Sequence, residues 1–208
     1  MNAELGLSSP GDLTGFPATE FSEGDELYRT VTVGKGPWWF GSDGSQRFDL
    51  KTPHGTCYTA ENIETSVREK ARRPLLAHGM IDPAFVDGMD VCELAPQSSG
   101  DYAETDSPRA TSFGANRELS TCLDYGLTCS WAQAFHATGL AGIHYGSRYT
   151  IGPANSLAIF GTAGEREGWY VARRLNGHRA MEEAGVLHLI APRTKLRHAD
   201  VADPPATS

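Results

Sequence analysis

Short runs rich in β-branched and aromatic residues recur along this chain, each parted from the next by a helical or turn-rich stretch. That alternation confines the fold to a mixed α and β class. The runs at 26–33, 56–60, 91–95, 141–145, 157–160 and 186–191 read as strands. Asn62 is suited to cap a helix over 63–73, with Glu64 where a negative charge suits the helix dipole, an apolar stripe of Ile63, Val67 and Ala71, and Pro74 to stop it. A second helix is expected over 131–138, capped by Ser130 and ended by Gly139, with Trp131 and Phe135 one turn apart. The polar stretch 97–120 is broken by Gly and Pro and reads as a long loop that is functional, mobile or a local insertion.

With 208 residues, the chain fits one core. The Gly-, Ser- and Pro-rich segment 1–22 reads as a loosely held arm, 23–199 as a single domain, and 200–208 as a flexible tail. A net charge of -8 argues against direct nucleic-acid binding. The start of the chain shows no basic segment followed by an apolar run, and no stretch is long and apolar enough for a membrane span, so a cytoplasmic location is expected. Cys57, Cys92, Cys122 and Cys129 form no CxxC pair and are expected as free thiols. The histidines are scattered without metal-site spacing, and no metal is expected.

Several residues carry chemistry. Strand alternation in Leu27-Tyr28-Arg29-Thr30-Val31-Thr32-Val33 puts Arg29 on the face of Leu27, Val31 and Val33, where a guanidinium needs an anion. That anion is either a protein carboxylate or a ligand phosphate. Tyr58 alternates with the small residues Thr56 and Ala60, which suits a ring stacked on a flat ligand and equally a core or cross-strand tyrosine. Glu69 points away from the apolar stripe of its helix, onto either a solvated face or a polar cleft wall. Ser147 follows the strand at 141–145 without a GxSxG elbow, so it reads as a hydrogen bonder rather than a nucleophile. The segment GKGPWWFGSDG lacks the features of a P-loop.

In order along the chain stand Leu27-Tyr28-Arg29, Arg47-Phe48-Asp49, and Gly55-Thr56-Cys57-Tyr58-Thr59-Ala60 followed by Glu64-Thr65-Ser66-Val67-Arg68-Glu69. Then come Gly142-Ile143-His144-Tyr145-Gly146-Ser147-Arg148 and Asn155-Ser156-Leu157-Ala158-Ile159-Phe160. Over about 26–161 this order resembles the RES domain family, toxins of bacterial toxin–antitoxin pairs. The resemblance implies an α+β, ADP-ribosyltransferase-like core, a split twisted β-sheet with flanking helices around a cleft for NAD. Arg29, Tyr58 and Glu69 would be the catalytic group, Tyr58 stacking on nicotinamide and Arg29 holding a phosphate or ribose oxygen. Arg47 and Ser147 would support binding, with an ion pair from Arg47 to Asp49 or Glu69 as the alternative. NAD would be substrate, with no separate cofactor, and its nicotinamide–ribose bond would be cut with water or phosphate as acceptor. Two alternatives are ADP-ribosyl transfer to a protein or nucleotide, and a non-catalytic RES-like binding module. The implied protein partner is a cognate helix-turn-helix antitoxin, with a homo-oligomer left open. The arm, the 97–120 stretch and an added helix and strand over 177–191, within a C-terminal extension spanning 162–199, depart from the family pattern.

Overall fold

The computed structural model describes residues 6–153 and 155–192; the tail expected at 200–208 lies outside them. In chain order the elements are β1 (Ala18–Phe21), β2 (Leu27–Thr32), β3 (Trp39–Phe40), β4 (His54–Ala60), α1 (Ile63–Lys70), α2 (Arg72–His78), α3 (Pro83–Asp87), β5 (Met89–Leu94) and β6 (Gly100–Glu104). They continue with α4 (Glu118–Thr121), α5 (Tyr125–Ala137), β7 (Gly142–Tyr145), β8 (Ser156–Thr162), β9 (Gly164–Glu165), β10 (Val171–Asn176) and α6 (Gly177–Glu183). Eight strands form one sheet in the order β1-β6-β7-β8-β4-β2-β5-β10, and β3 pairs with β9 beside it. All neighbours are antiparallel except β6 and β7. The class is α+β, with helices flanking a large, mostly antiparallel sheet.

The sheet is nearly parted in its middle. Strand β2 runs alongside β5 over its full length, from Leu27↔Leu94 to Thr32↔Met89, and β4 runs alongside β8 from His54↔Thr162 to Ala60↔Ser156. Between β2 and β4 the only register pair is Tyr28↔Ala60. From that joint the two strands diverge, and a cleft opens between them.

Three apolar clusters hold the halves together. Trp131 and Phe135 of α5 pack with Phe16, Phe48, Leu50, Ile143 and Tyr145. Ile63 and Val67 of α1 meet Tyr28, Val86, Met89, Val91 and Met181. Leu27, Val31, Cys57, Cys92 and Leu157 form the third with Trp38 and Phe40. Strand β2 is therefore buried on both faces, and Arg29 shares the face of Leu27 and Val31 as the alternation requires. Val33 lies one residue past the strand and is exposed.

Several expectations are corrected. The segment expected as a loose arm is tied into the fold from Leu7 onward. Leu13 and Phe16 are buried, β1 pairs with β6, and Trp131 Nε1 donates to Ser8 O at 2.8 Å. Single apolar residues spaced among Gly, Ser and Pro show no period, so only tertiary packing reveals them. The 97–120 stretch is not a structureless loop: it holds β6, a 3-10 turn over Pro108–Phe113 and the start of α4. Over 186–191 there is no strand. After Gly185 turns the chain with φ 70°, Leu187–Leu189 forms a 3-10 turn that buries Val186 and Leu189 at i,i+3 spacing.

The helix from Asn62 does begin there, with Asn62 Oδ1 accepting from Thr65 N, but Pro74 does not end it. The chain breaks at Ala71 and restarts as α2, where Pro74 occupies the first turn and its missing N–H has no intrahelical partner to lose. Helix α5 begins six residues before its expected start, at Tyr125, capped by Asp124 rather than Ser130.

Candidate active site

The cleft between β2 and β4 has a volume of about 660 Å³, and α1 and the 41–49 loop complete its walls. Arg29, Arg47, Tyr58 and Glu69, drawn from four separate segments, all line it. Ser147 reaches the cleft only through Glu69, as described below.

Arg29 has an unexpected partner set. Its Nη1 donates to the carbonyls of Pro37 and Trp39, the latter at 3.0 Å, and lies 2.7 Å from Cys57 Sγ. Among the described residues no carboxylate forms an ion pair with it. The protein carboxylate is thus not its partner among the described residues; backbone carbonyls fix one side of the guanidinium, and its positive charge remains uncompensated at the cleft wall. Those carbonyls belong to the chain entering and forming β3. That chain lies close on β4 because Gly55 has no side chain there: a Cβ would stand 2.8 Å from Phe40 O and 2.9 Å from Gly41 O.

Tyr58 is held at its hydroxyl, which donates to Asp49 Oδ1 at 2.9 Å and accepts from Phe48 N at 2.9 Å. Burial, and then the neighbouring Asp49 charge, push the phenol well above its ordinary pKa, so it is a neutral donor. Asp49 is itself buried and its carboxyl raised by burial, although Tyr58 and the Gln46 N–H pull in the opposite direction. The ring is half-buried and lines the cleft.

Glu69 sits on the cleft-facing side of α1, so the polar cleft wall prevails over the solvated face. Ser147 Oγ donates to Glu69 Oε1 at 2.7 Å. The serine is fixed in turn: its N–H donates to Asn155 Oδ1 at 3.2 Å, and Tyr149 N donates to its Oγ at 3.0 Å. Burial holds the Glu69 carboxyl above its usual pKa against the opposing pull of the Ser147 hydrogen bond and the charges of Arg47 and Arg72. The arrangement is a partly desolvated carboxylate aimed into a cleft from a rigid helix.

Arg47 pairs with neither Asp49 nor Glu69. Its Nη2 donates to Cys122 O at 3.4 Å, its guanidinium carbon lies 5.7 Å from the centre of the Tyr125 ring, and its Nε is buried without a hydrogen-bond partner among the described residues. Lys70 and Arg72 also line the cleft, although no pattern in the sequence marks them out. They follow Glu69 so closely that a search for further cations around it would have reached them. Arg72 Nη1 donates to Gln46 Oε1 at 3.0 Å, and burial, then the charges of Arg29 and Arg72, lower the Lys70 pKa. Four cations thus face the cleft beside the carboxylates of Asp43, Asp49 and Glu69, in a chain of net charge -8, and this local excess of positive charge suits an anionic ligand. Among the described residues no cluster of three or more His, Cys, Asp or Glu could hold a metal, and all four cysteines are free. No described helix is long and apolar enough to cross a membrane.

The fold is similar to a chain in the crystal structure of the MbcT–MbcA toxin–antitoxin complex of M. tuberculosis. The two share 12% sequence identity with a TM-score of 0.56, over 79% of this chain and 90% of that one. No curated protein matches the sequence. The model of the RES domain matches residues 26–174, most of the chain and every element that walls the cleft, and the chain therefore belongs to the RES domain family.

Proposed function

We propose that the protein is the toxin of a toxin–antitoxin pair and an enzyme that cuts the nicotinamide–ribose bond of NAD, with water or phosphate as acceptor. The observation that carries this reading is the Glu69 carboxylate, desolvated and held by Ser147 in a cleft that also presents Tyr58 and the uncompensated charge of Arg29. Membership of the RES family and the fold shared with a chain of a toxin–antitoxin complex support the toxin assignment. The implied partner is a cognate antitoxin whose binding covers the cleft, and the implied site of action is the cytoplasm.

The chemistry follows from the side chains. As nicotinamide departs, positive charge develops on the ribose, and an ionised Glu69 stabilises that charge or orients the ribose hydroxyls. Ser147 holds one carboxylate oxygen and leaves the other to face the substrate. The Tyr58 ring, fixed at its hydroxyl, offers a face to the nicotinamide ring. Arg29, with Nη1 already committed to backbone carbonyls, directs its remaining donors at a phosphate or ribose oxygen. Arg47, whose Nε has no protein partner, is the second cation available to the diphosphate.

Purified protein incubated with NAD, in the presence and absence of phosphate, should release nicotinamide, and Glu69→Gln should slow the release by roughly 10²–10³-fold, as for loss of a group stabilising transition-state charge. Radiolabelled NAD then identifies the acceptor. Label appearing on a protein or nucleotide would establish ADP-ribosyl transfer instead. Binding of NAD without turnover, unchanged by Glu69→Gln, would establish a non-catalytic module.

A further inference from the structure

Trp39 is conspicuous on the cleft wall. Its side chain is 54% exposed, whereas Trp38 beside it is buried at 1%, so the chain turns one indole into the core and the next into solvent. Trp38 packs edge-on against Trp169, as does Phe40, but among the described residues no ring packs against Trp39. Of the other cleft aromatics that are not fully buried, Tyr58 is tied at its hydroxyl to Asp49, Phe85 is half-buried in its helix, and Tyr125 already has the Arg47 guanidinium over its ring. An unstacked indole on a cleft wall offers an open ring face against which a flat group can stack.

Its surroundings are fixed rather than loose. The Trp39 carbonyl accepts from Arg29 Nη1 at 3.0 Å, Trp39 pairs with Glu165 across β3 and β9, and the Gly41↔Thr56 bridge ties the following residues to β4. The cations share the cleft with the indole. Arg29 adjoins Trp39, Lys70 feels the charges of both Arg29 and Arg72, and Arg72 with Arg47 acts on Glu69. Trp39, the four cations and Glu69 thus line one and the same cleft.

We propose that Trp39 is the stacking platform for a purine base, holding the adenylate end of a dinucleotide whose diphosphate meets the cleft cations Arg29, Arg47 and Lys70 and whose other end reaches Glu69. Stacking is the interaction an exposed indole provides, it tolerates any flat base, and it needs no partner beyond the ring face. The inference rests on the NAD reading for the identity of the far end, while the base subsite itself is tested without turnover.

The test is calorimetric titration of ADP and of inorganic pyrophosphate into the wild-type protein, Trp39→Ala and Trp39→Phe. Because the Trp39 backbone holds Arg29 and the indole is solvent-facing, neither substitution removes the cation site. Trp39→Ala should weaken ADP about tenfold, the loss of one base–aromatic stack, and leave pyrophosphate binding unchanged. Trp39→Phe should recover most of the ADP affinity. Absence of ADP binding to the wild type, an ADP affinity indifferent to Trp39→Ala, or an equal loss of pyrophosphate would overturn the proposal. Should NAD prove not to be cleaved while ADP still depends on Trp39, the activity fails and the base subsite stands; cleavage of NAD with ADP indifferent to Trp39 removes the base subsite and leaves the activity in place.

Discussion

At Glu69 activity and stability pull apart. Burial raises its carboxyl pKa in the folded protein, and Ser147, Arg47 and Arg72 only partly offset that rise. A carboxyl with a raised folded pKa contributes stability while protonated; the contribution is complete below its unfolded pKa of about 4.3 and is lost as pH rises through the folded value. At neutral pH the ionised group is therefore a net burden on the fold. Glu69→Gln keeps an oxygen for the Ser147 hydroxyl and removes the buried charge. Thermal melts should show the variant more stable than wild type at pH 7 to 8, with the difference closing below about pH 4. A variant less stable at every pH would contradict that account. Of the site residues, Arg29 was the most legible, because a charge on an apolar strand face is a visible anomaly. Its partners were not, since backbone carbonyls of Pro37 and Trp39 leave no mark in side-chain identity.

At the scale of elements, the cleft depends on how the 46–50 turn is fastened to β4. The fastening comes from side chains rather than a strand ladder. Thr56 Oγ1 donates to Phe48 O at 2.7 Å and accepts from Leu50 N at 3.2 Å, and the Tyr58 hydroxyl joins Phe48 N to Asp49. Arg47 is displayed from this turn, so its placement is inherited from Thr56 and Tyr58. Thr56→Val keeps the shape and deletes both hydroxyl bonds, leaving Phe48 O and Leu50 N without those partners in the interior. The expected cost is about 1–3 kcal/mol by denaturant titration, accompanied by weaker ADP binding as Arg47 loses its support. Unchanged stability would show the turn to be held by packing alone. Strands β2, β4, β5, β7 and β8 could be read from sequence because each carries several apolar residues at strand spacing. Strands β1, β6 and β10 could not: they are short or largely polar and owe their pairing to neighbours distant in sequence.

For the molecule as a whole, the boundary of the folded unit is where sequence composition misleads most. Gly, Ser and Pro before residue 22 suggest an arm that can be removed without consequence. Yet Phe16 packs its ring against Phe113 and Phe135, with centres 5.1 and 4.7 Å away, and Leu13 joins the same cluster at 3% exposure. The chain then enters β1, whose register runs from Ala18↔Ala103 to Phe21↔Gly100, and Glu104 N donates to Pro17 O at 2.8 Å. Phe16→Ala should cost about 3–5 kcal/mol, the usual range for emptying a buried aromatic site. Deleting residues 1–22 should do more, because it removes Leu13 and Phe16 together and bares the edge of β6, an invitation to strand pairing between chains. The damage also reaches the site: this cluster contains Phe48 and Tyr145, and Tyr58 packs against it. The deletion variant is expected to aggregate or to melt well below the full chain in differential scanning calorimetry. A deletion variant that melts at the wild-type temperature and binds ADP with wild-type affinity would show that the segment is an arm after all.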